Sequence, residues 1–282
     1  MIIGLVFVLL MPVLLGAGLY YKSKVLFHDH SIWNLLFTKD WRPMSGKFGL
    51  LPFIMSSFWV TFISVLISAP ICLLTAIHLT QYAKKWVLKF MHPVIDILAG
   101  IPSVIFGVWG ILIIVPFISN TVAPMLGKQT SGYTIISGAL VLSVMIIPFI
   151  LNILIEVFRS IPDELSEAAL SLGASKWQTI KYVLIKKAVP GIISAFGLGV
   201  SRAFGETIAV LMVVGNVIQI PHGLFQAGYP LPALIANNYG EMMSIPNYDA
   251  ALMLSALVLF VIVTVFNLAS RYTIAHLEKT IK

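Results

Sequence analysis

Gly199-Val-Ser-Arg202-Ala-Phe-Gly-Glu206-Thr-Ile-Ala209 lies at the centre of an apolar run from Ala188 to Asn216. Arg202 and Glu206 are the only Asp, Glu, Lys or Arg residues between Lys187 and Glu241. A run of this length and composition reads as a membrane span, and its two charges fall where the hydrocarbon is thickest. A lone charge there costs on the order of 2.5–3.5 kcal/mol on insertion scales. On a continuous helix the i, i+4 spacing puts both side chains on one face, where they neutralise each other. Two readings follow. Either the pair only makes the span tolerable, or Arg202 faces a polar route through the protein and meets an anion there.

Hydrophobic residues fill 59% of the 282 positions and charged residues 10%, which excludes an ordinary soluble domain. Six stretches are apolar and long enough to cross a bilayer, near Ile2–Tyr20, Phe53–Gln81, Val94–Ile118, Thr134–Val157, Ala188–Asn216 and Ala250–Ser270. The expected fold class is therefore an all-α polytopic membrane protein with six transmembrane helices. No Lys or Arg precedes the first run and no clear small-residue cleavage site follows it, so it reads as a retained helix rather than a signal peptide. The single cysteine, Cys72, falls inside the second span and reads as packing, with no disulfide or cysteine metal site.

The formal net charge of +7 is unevenly placed. Lys84, Lys85 and Lys89 follow the second span; Arg159, Lys176, Lys181, Lys186 and Lys187 follow the fourth; Arg271, Lys279 and Lys282 follow the sixth. The opposite loops hold Lys128 and, from Val217 to Asp249, no Lys or Arg at all. Residues 22–52 run against this trend with Lys22, Lys24, Lys39, Arg42 and Lys47. The balance is still 11 against 6, with Arg202 completing the 18, and the positive-inside rule places both termini in the cytoplasm.

The segment between the fourth and fifth spans is amphipathic. Ser160-Ile-Pro-Asp163 has the form of a helix N-cap with an acid three residues on. Leu165, Ala168, Ala169 and Leu172 then recur at helical spacing as one narrow apolar face, and Gly173 is placed to end the helix. Trp177, Ile180 and Leu184 repeat the spacing in a second, more basic piece. Two short amphipathic helices outside the bilayer either lie on lipid or dock into a partner's groove. The small alanines favour the groove.

These residues carry a resemblance. Glu167-Ala-Ala-Leu-Ser-Leu-Gly173, then nine residues, then Val183-Leu-Ile185, resembles the EAA motif of binding-protein-dependent ABC importer permeases, with Lys186 where that family usually has a proline. Asp40-Trp-Arg-Pro43 with Phe48-Gly-Leu-Leu-Pro-Phe-Ile54 is similar to the PstC-type subunits of phosphate importers within that family. So are Gly100-Ile-Pro-Ser-Val-Ile-Phe-Gly-Val-Trp-Gly110 and the run from Arg202 to Asn216. The resemblance implies an ABC importer type I permease fold, with residues 1–52 as an N-terminal helix and external loop, 53–271 as the permease domain and 272–282 as a cytoplasmic tail. It implies that Glu167, Ala168, Ala169 and Gly173 belong to a coupling helix that fits a cleft on a cytoplasmic ATPase, and that Arg202 and Glu206 lie on the substrate pathway. The partners implied are a PstA-type second permease, two PstB-type ATP-binding subunits and a PstS-type external phosphate-binding protein, gathered at the plasma (inner) membrane. No catalytic residue, metal or cofactor is expected on this chain, ATP being used by the partner, and no nucleic acid is involved.

Physical chemistry gives the same two residues a role. A guanidinium offers an oxyanion a fork of donors and a charge that does not titrate away. Conduction also needs the ion to leave; Glu206 one turn along weakens the site and competes for Arg202. Two small-residue stripes, Ala195-Gly199-Ala203 and Ser201-Gly205-Ala209, allow close helix approach. Other readings are a permease for sulfate or molybdate, a self-sufficient secondary transporter or channel, for which no internal repeat is seen, and a membrane sensor of phosphate. His28-Asp-His30 offers metal-ligand types but reads as an exposed loop. Gly100-Ile-Pro102 marks a break in the third span. Asp96 and Glu156 sit near span ends and receive no function. The proline-rich loop 217–249 is expected to pack over the external mouth.

Overall fold

The computed structural model describes residues 2–29, 31–240 and 246–281, with side chains for 6–28, 31–240 and 247–276. The main helices are α1 (Ile2–Ser23), α2 (Leu51–Tyr82), α3 (Lys85–Gly100), α4 (Ser103–Met125) and α5 (Ile135–Arg159). They continue as α6 (Asp163–Ser171), α7 (Lys176–Gly205), α8 (Leu231–Asn238) and α9 (Pro246–Ile281). Among the described residues, six helices are long and apolar enough to cross a membrane: α1, α2, α4, α5, α7 and, from Asn247 to His276, α9.

The central helix is α5, which packs against α2, α3 and α7. Its N-terminus is fixed by Thr134, whose hydroxyl accepts the Ser137 N–H at 3.3 Å. Leu142, Ile146, Ile150 and Leu154 are fully buried, repeating at helical spacing along one line of the core. The stripe Ala195-Gly199-Ala203 on α7 is buried too. A Cβ at Gly199 would stand 2.5 Å from Ile150 Cδ1, so α7 and α5 approach as closely as only glycine permits. The second expected stripe is divided. Ser201 donates to Asn267 Oδ1 of α9 at 2.9 Å, Ala209 is buried, and Gly205 faces open space.

The third span differs from the expected Val94–Ile118. Ile101 is extended (ψ 128°), as steric clash with Pro102 favours, so Val94–Gly100 belong to α3 and the spanning helix is α4. Helix α3 has three faces. Leu88, Met91 and Ile95 pack inward. Trp86, Phe90, Pro93 and Ile97 form an exposed apolar stripe. Lys85, Lys89, His92 and Asp96, at i, i+4, i+7 and i+11, form a polar stripe between them.

A second core caps the end of the bundle where α2 begins. Strands β1 (Trp41–Arg42) and β2 (Lys47–Phe48) make an antiparallel hairpin, turned by Gly46 at φ +68°. Trp41 is buried edge-on against Phe53 at 5.1 Å, Phe48 at 5.8 Å and Tyr248 at 5.8 Å between ring centroids. From loop 217–249, Tyr229, Leu231, Ala233, Leu234 and Tyr248 join this cap, while Gln226 O and Leu224 O accept the N–H groups of Ile135 and Ile136 at the start of α5. Ser56 and Ser57 of α2 accept the N–H groups of Tyr229 at 3.1 Å and Leu231 at 2.8 Å, and α8 packs on α9 and α2.

Candidate substrate pathway and coupling helix

The expected span Ala188–Asn216 is interrupted. Helix α7 starts at Lys176 and stops at Gly205; Glu206 is extended (φ −72°, ψ 126°), and a single turn, Ile208–Leu211, follows. Arg202 and Glu206 therefore do not share one helical face, and among the described residues no ion pair joins them. Glu206 Oε1 instead accepts the Ala209 N–H at 3.2 Å. The break orphans backbone donors at the start of the next turn, and the carboxylate satisfies one of them. Arg202 lies with its guanidinium carbon 4.8 Å from the centroid of the Phe149 ring on α5.

Orientation separates Arg202 from its neighbours. Phe204 is buried between Phe58 and Phe266, each 5.3 Å away between centroids. Leu198, Arg202 and Gly205, at i, i+4 and i+7, form an exposed face, and nothing stands within 4 Å of a Cβ built on Gly205. Unwound backbone at membrane depth is tolerated only where it is covered by protein or lines water. This face is thus unsuited to lipid. A guanidinium resting on an aromatic ring keeps its N–H fork available to an oxyanion.

At the opposite end of the bundle, α6 contains no buried residue. Glu167 and Ala168 are exposed, Ala169 is half-buried, and Leu172 is 90% exposed. Gly173 takes the left-handed conformation at φ +85°, and its N–H bonds to Leu170 O at 2.9 Å while that of Ala174 bonds to Ala169 O at 3.2 Å. This closure favours glycine. The apolar face is formed, and no part of the described chain fills it.

Two details of this segment depart from expectation. Ser160 does not cap α6; it ends α5, donating to Val157 O at 2.8 Å. Pro162 occupies the N-cap, with Asp163 and Glu164 in the first turn, where the helix dipole favours acids. The Trp177 piece is not a separate helix. It is the first part of α7, entered through a capping box in which Ser175 and Gln178 exchange bonds; Ser-x-x-Gln was a legible signal for it.

The fold also gathers side chains that sequence reading left apart. His92 Nδ1 lies 3.2 Å from Asp96, and its Nε2 lies 3.5 Å from Glu156. Arg159 contacts Glu156 at 3.2 Å, and Asn152 donates to Asp96 Oδ1 at 2.8 Å. Only the stripe on α3 hinted at this cluster. Of His28-Asp-His30, the Asp29 side chain and His30 lie outside the described residues. Among the described residues no group of three or more His, Cys, Asp and Glu is placed to hold a metal ion.

Comparison with known proteins agrees with this architecture. Residues 68–282 match the family described as binding-protein-dependent transport system inner membrane component. The probable ABC transporter permease protein YqgH of Bacillus subtilis is 39% identical over 85% of this chain and 76% of its own. The phosphate transport system permease protein PstC of Xylella fastidiosa is 32% identical over 87% and 80%. The corresponding probable PstC of Methanocaldococcus jannaschii is 33% identical over 95% and 89%. The inward-facing MetNI methionine ABC transporter shares the fold, with a TM-score of 0.61 at 19% identity over 84% of this chain and 99% of that one. An interrupted span, an unfilled helix at the opposite end and these matches lead to one conclusion: the chain belongs to the binding-protein-dependent transport system inner membrane component family, the membrane-spanning permease subunits of ABC transporters.

Proposed function

We propose that this chain is one of two permease subunits of an ATP-driven importer of inorganic phosphate. A PstA-type permease would cover the Leu198–Arg202–Gly205 face, two PstB-type ATPases would receive α6 and its counterpart, and a PstS-type protein would deliver phosphate from outside. Both termini lie in the cytoplasm on this reading, and ATP is hydrolysed on the partner, with no cofactor on this chain. The observation that carries the proposal is Arg202. Its charge stands at a helix break, over Phe149, and among the described residues no carboxylate pairs with it. Relatives named as phosphate transport permeases support the choice of anion.

Arg202 then meets phosphate between the two permeases, holding it through two parallel N–H···O contacts. Phe149 keeps the guanidinium in place without neutralising it. Glu206 keeps a negative charge beside the site, so the anion is bound weakly enough to leave. In ATP-loaded proteoliposomes containing the four-subunit importer and its external binding protein, labelled phosphate should accumulate. Excess unlabelled phosphate should suppress that uptake, whereas sulfate and molybdate should not. Uptake of either of those oxyanions in place of phosphate would overturn the assignment.

A further inference from the structure

A cleft of about 700 Å³ opens at the α6 end of the bundle, between the last turn of α2, the polar stripe of α3 and the corner joining α5 to α6. Lys85, Lys89 and Arg159 bring three basic side chains to its lining, against the single carboxylate of Asp163. His92, Thr80 and Gln81 add polar atoms. Neither Lys85 nor Lys89 has a carboxylate within ion-pair distance among the described residues. Arg159 and His92 both reach Glu156, at 3.2 and 3.5 Å, and Glu156 itself is not part of the lining. The cleft therefore has a surplus of positive charge drawn from two separate elements.

Its position narrows the ligand. The neighbouring face of α3 exposes Trp86, Phe90 and Ile97, an aromatic and aliphatic stripe of the kind that settles at a membrane boundary. The lysines stand one residue away from these side chains along the helix, where their stems can follow apolar surface and their ammonium groups remain in water. The Thr80 hydroxyl is spent on Ala76 O at 2.8 Å, but a site with two point-charge donors, a guanidinium and the Gln81 amide suits the tetrahedral oxygens of a phosphate group.

We infer that this cleft binds a phosphoryl group, carried by an anionic phospholipid headgroup or by free inorganic phosphate. Such an occupant would tie α3 to the root of α6. The inference does not rest on Arg202 or on the transported anion, because the two sites lie on different parts of the chain.

Amine acetylation read by mass spectrometry tests it on the assembled importer in nanodiscs. The reference state uses phosphatidylcholine with chloride. One arm adds phosphatidylglycerol, and the other adds inorganic phosphate at matched ionic strength. Labelling of Lys85 and Lys89 should fall about threefold at a probe concentration twice its Kd, since protection grows as one plus that ratio. Lys181, which sits over Tyr182 and outside the cleft, should be labelled equally throughout. Protection in the first arm identifies a headgroup, and protection in the second identifies free phosphate. Arg159→Gln should weaken protection at Lys89, and Lys85→Gln should do the same if the first variant fails to assemble. Unchanged labelling of Lys85 and Lys89 in both arms, or a parallel fall at Lys181, would overturn the inference.

Discussion

Trp41 and Arg202 mark regions that are equally conspicuous in the sequence and opposite in structure. Trp41 is enclosed by Phe48, Phe53 and Tyr248, and a Cβ on the nearby Gly49 would stand 2.3 Å from Thr38 O. The apolar side chains of that motif, Trp41, Phe48, Leu50 and Phe53, are buried within the chain. Arg202 is exposed and rests on the Phe149 ring, near a Gly205 whose Cβ position faces open space. The contrast separates architecture from function. A conspicuous residue that its own chain encloses holds the fold, whereas a charged one left open inside a membrane helix requires something from outside.

The comparison is broken most severely at Trp41. Trp41→Ala should remove about 3–5 kcal/mol of stability, as expected for a large buried aromatic. Thermal unfolding of the purified importer should show the loss, and uptake per assembled complex should stay near normal. A normal melting temperature with impaired uptake would place Trp41 in the transport machinery instead.

Ala168→Trp extends the comparison to the other open region. Helix α6 has no buried residue of its own to lose, so the subunit should melt normally. Adding bulk to a closely fitting face typically costs about 1–3 kcal/mol, and the ATPase should therefore co-purify less well or hydrolyse ATP without phosphate dependence. Full association with coupled uptake would remove α6 from the docking surface.

The smallest effects belong to Glu206. Glu206→Ala should cost about 1 kcal/mol through loss of the contact to Ala209 N–H. Glu206→Gln retains an acceptor oxygen, so subunit levels should hold while uptake falls because phosphate leaves more slowly. Quantitative blotting beside initial-rate uptake separates the two variants. Normal levels together with normal uptake in Glu206→Gln would deny the carboxylate any part in release.

Hydropathy made the six spans legible, because a membrane helix needs about 20 predominantly apolar residues. The break at Ile101 was legible through Pro102. The break at Glu206 was not. Ile208 to Val214 continues the apolar run, so hydropathy is blind to an interruption made by one capping carboxylate. The same continuity joined Val94–Gly100 to the wrong helix. At the Trp41 cap the sequence shows Trp41, Phe48 and Phe53 close together, but Tyr229 and Tyr248 arrive from the far end of the chain, which no local pattern announces. Arg202, Glu206, Glu167, Ala168, Ala169 and Gly173 are candidates that the sequence alone names. The ring under Arg202, the contact made by Glu206 and the α3 polar cluster depend on tertiary packing.

The most direct measurement is initial-rate uptake of labelled phosphate by cells expressing Arg202→Ala, normalised to the amount of assembled importer, with Arg202→Lys alongside. Hydrogen bonds to a charged group contribute roughly 1.5–3 kcal/mol, so uptake by Arg202→Ala should fall about tenfold or more while assembly is unchanged. Arg202→Lys should recover little of it, because a point charge does not reproduce a planar fork. Near-normal uptake by Arg202→Ala at normal assembly would contradict the account and reduce Arg202 to a residue that only packs against Phe149.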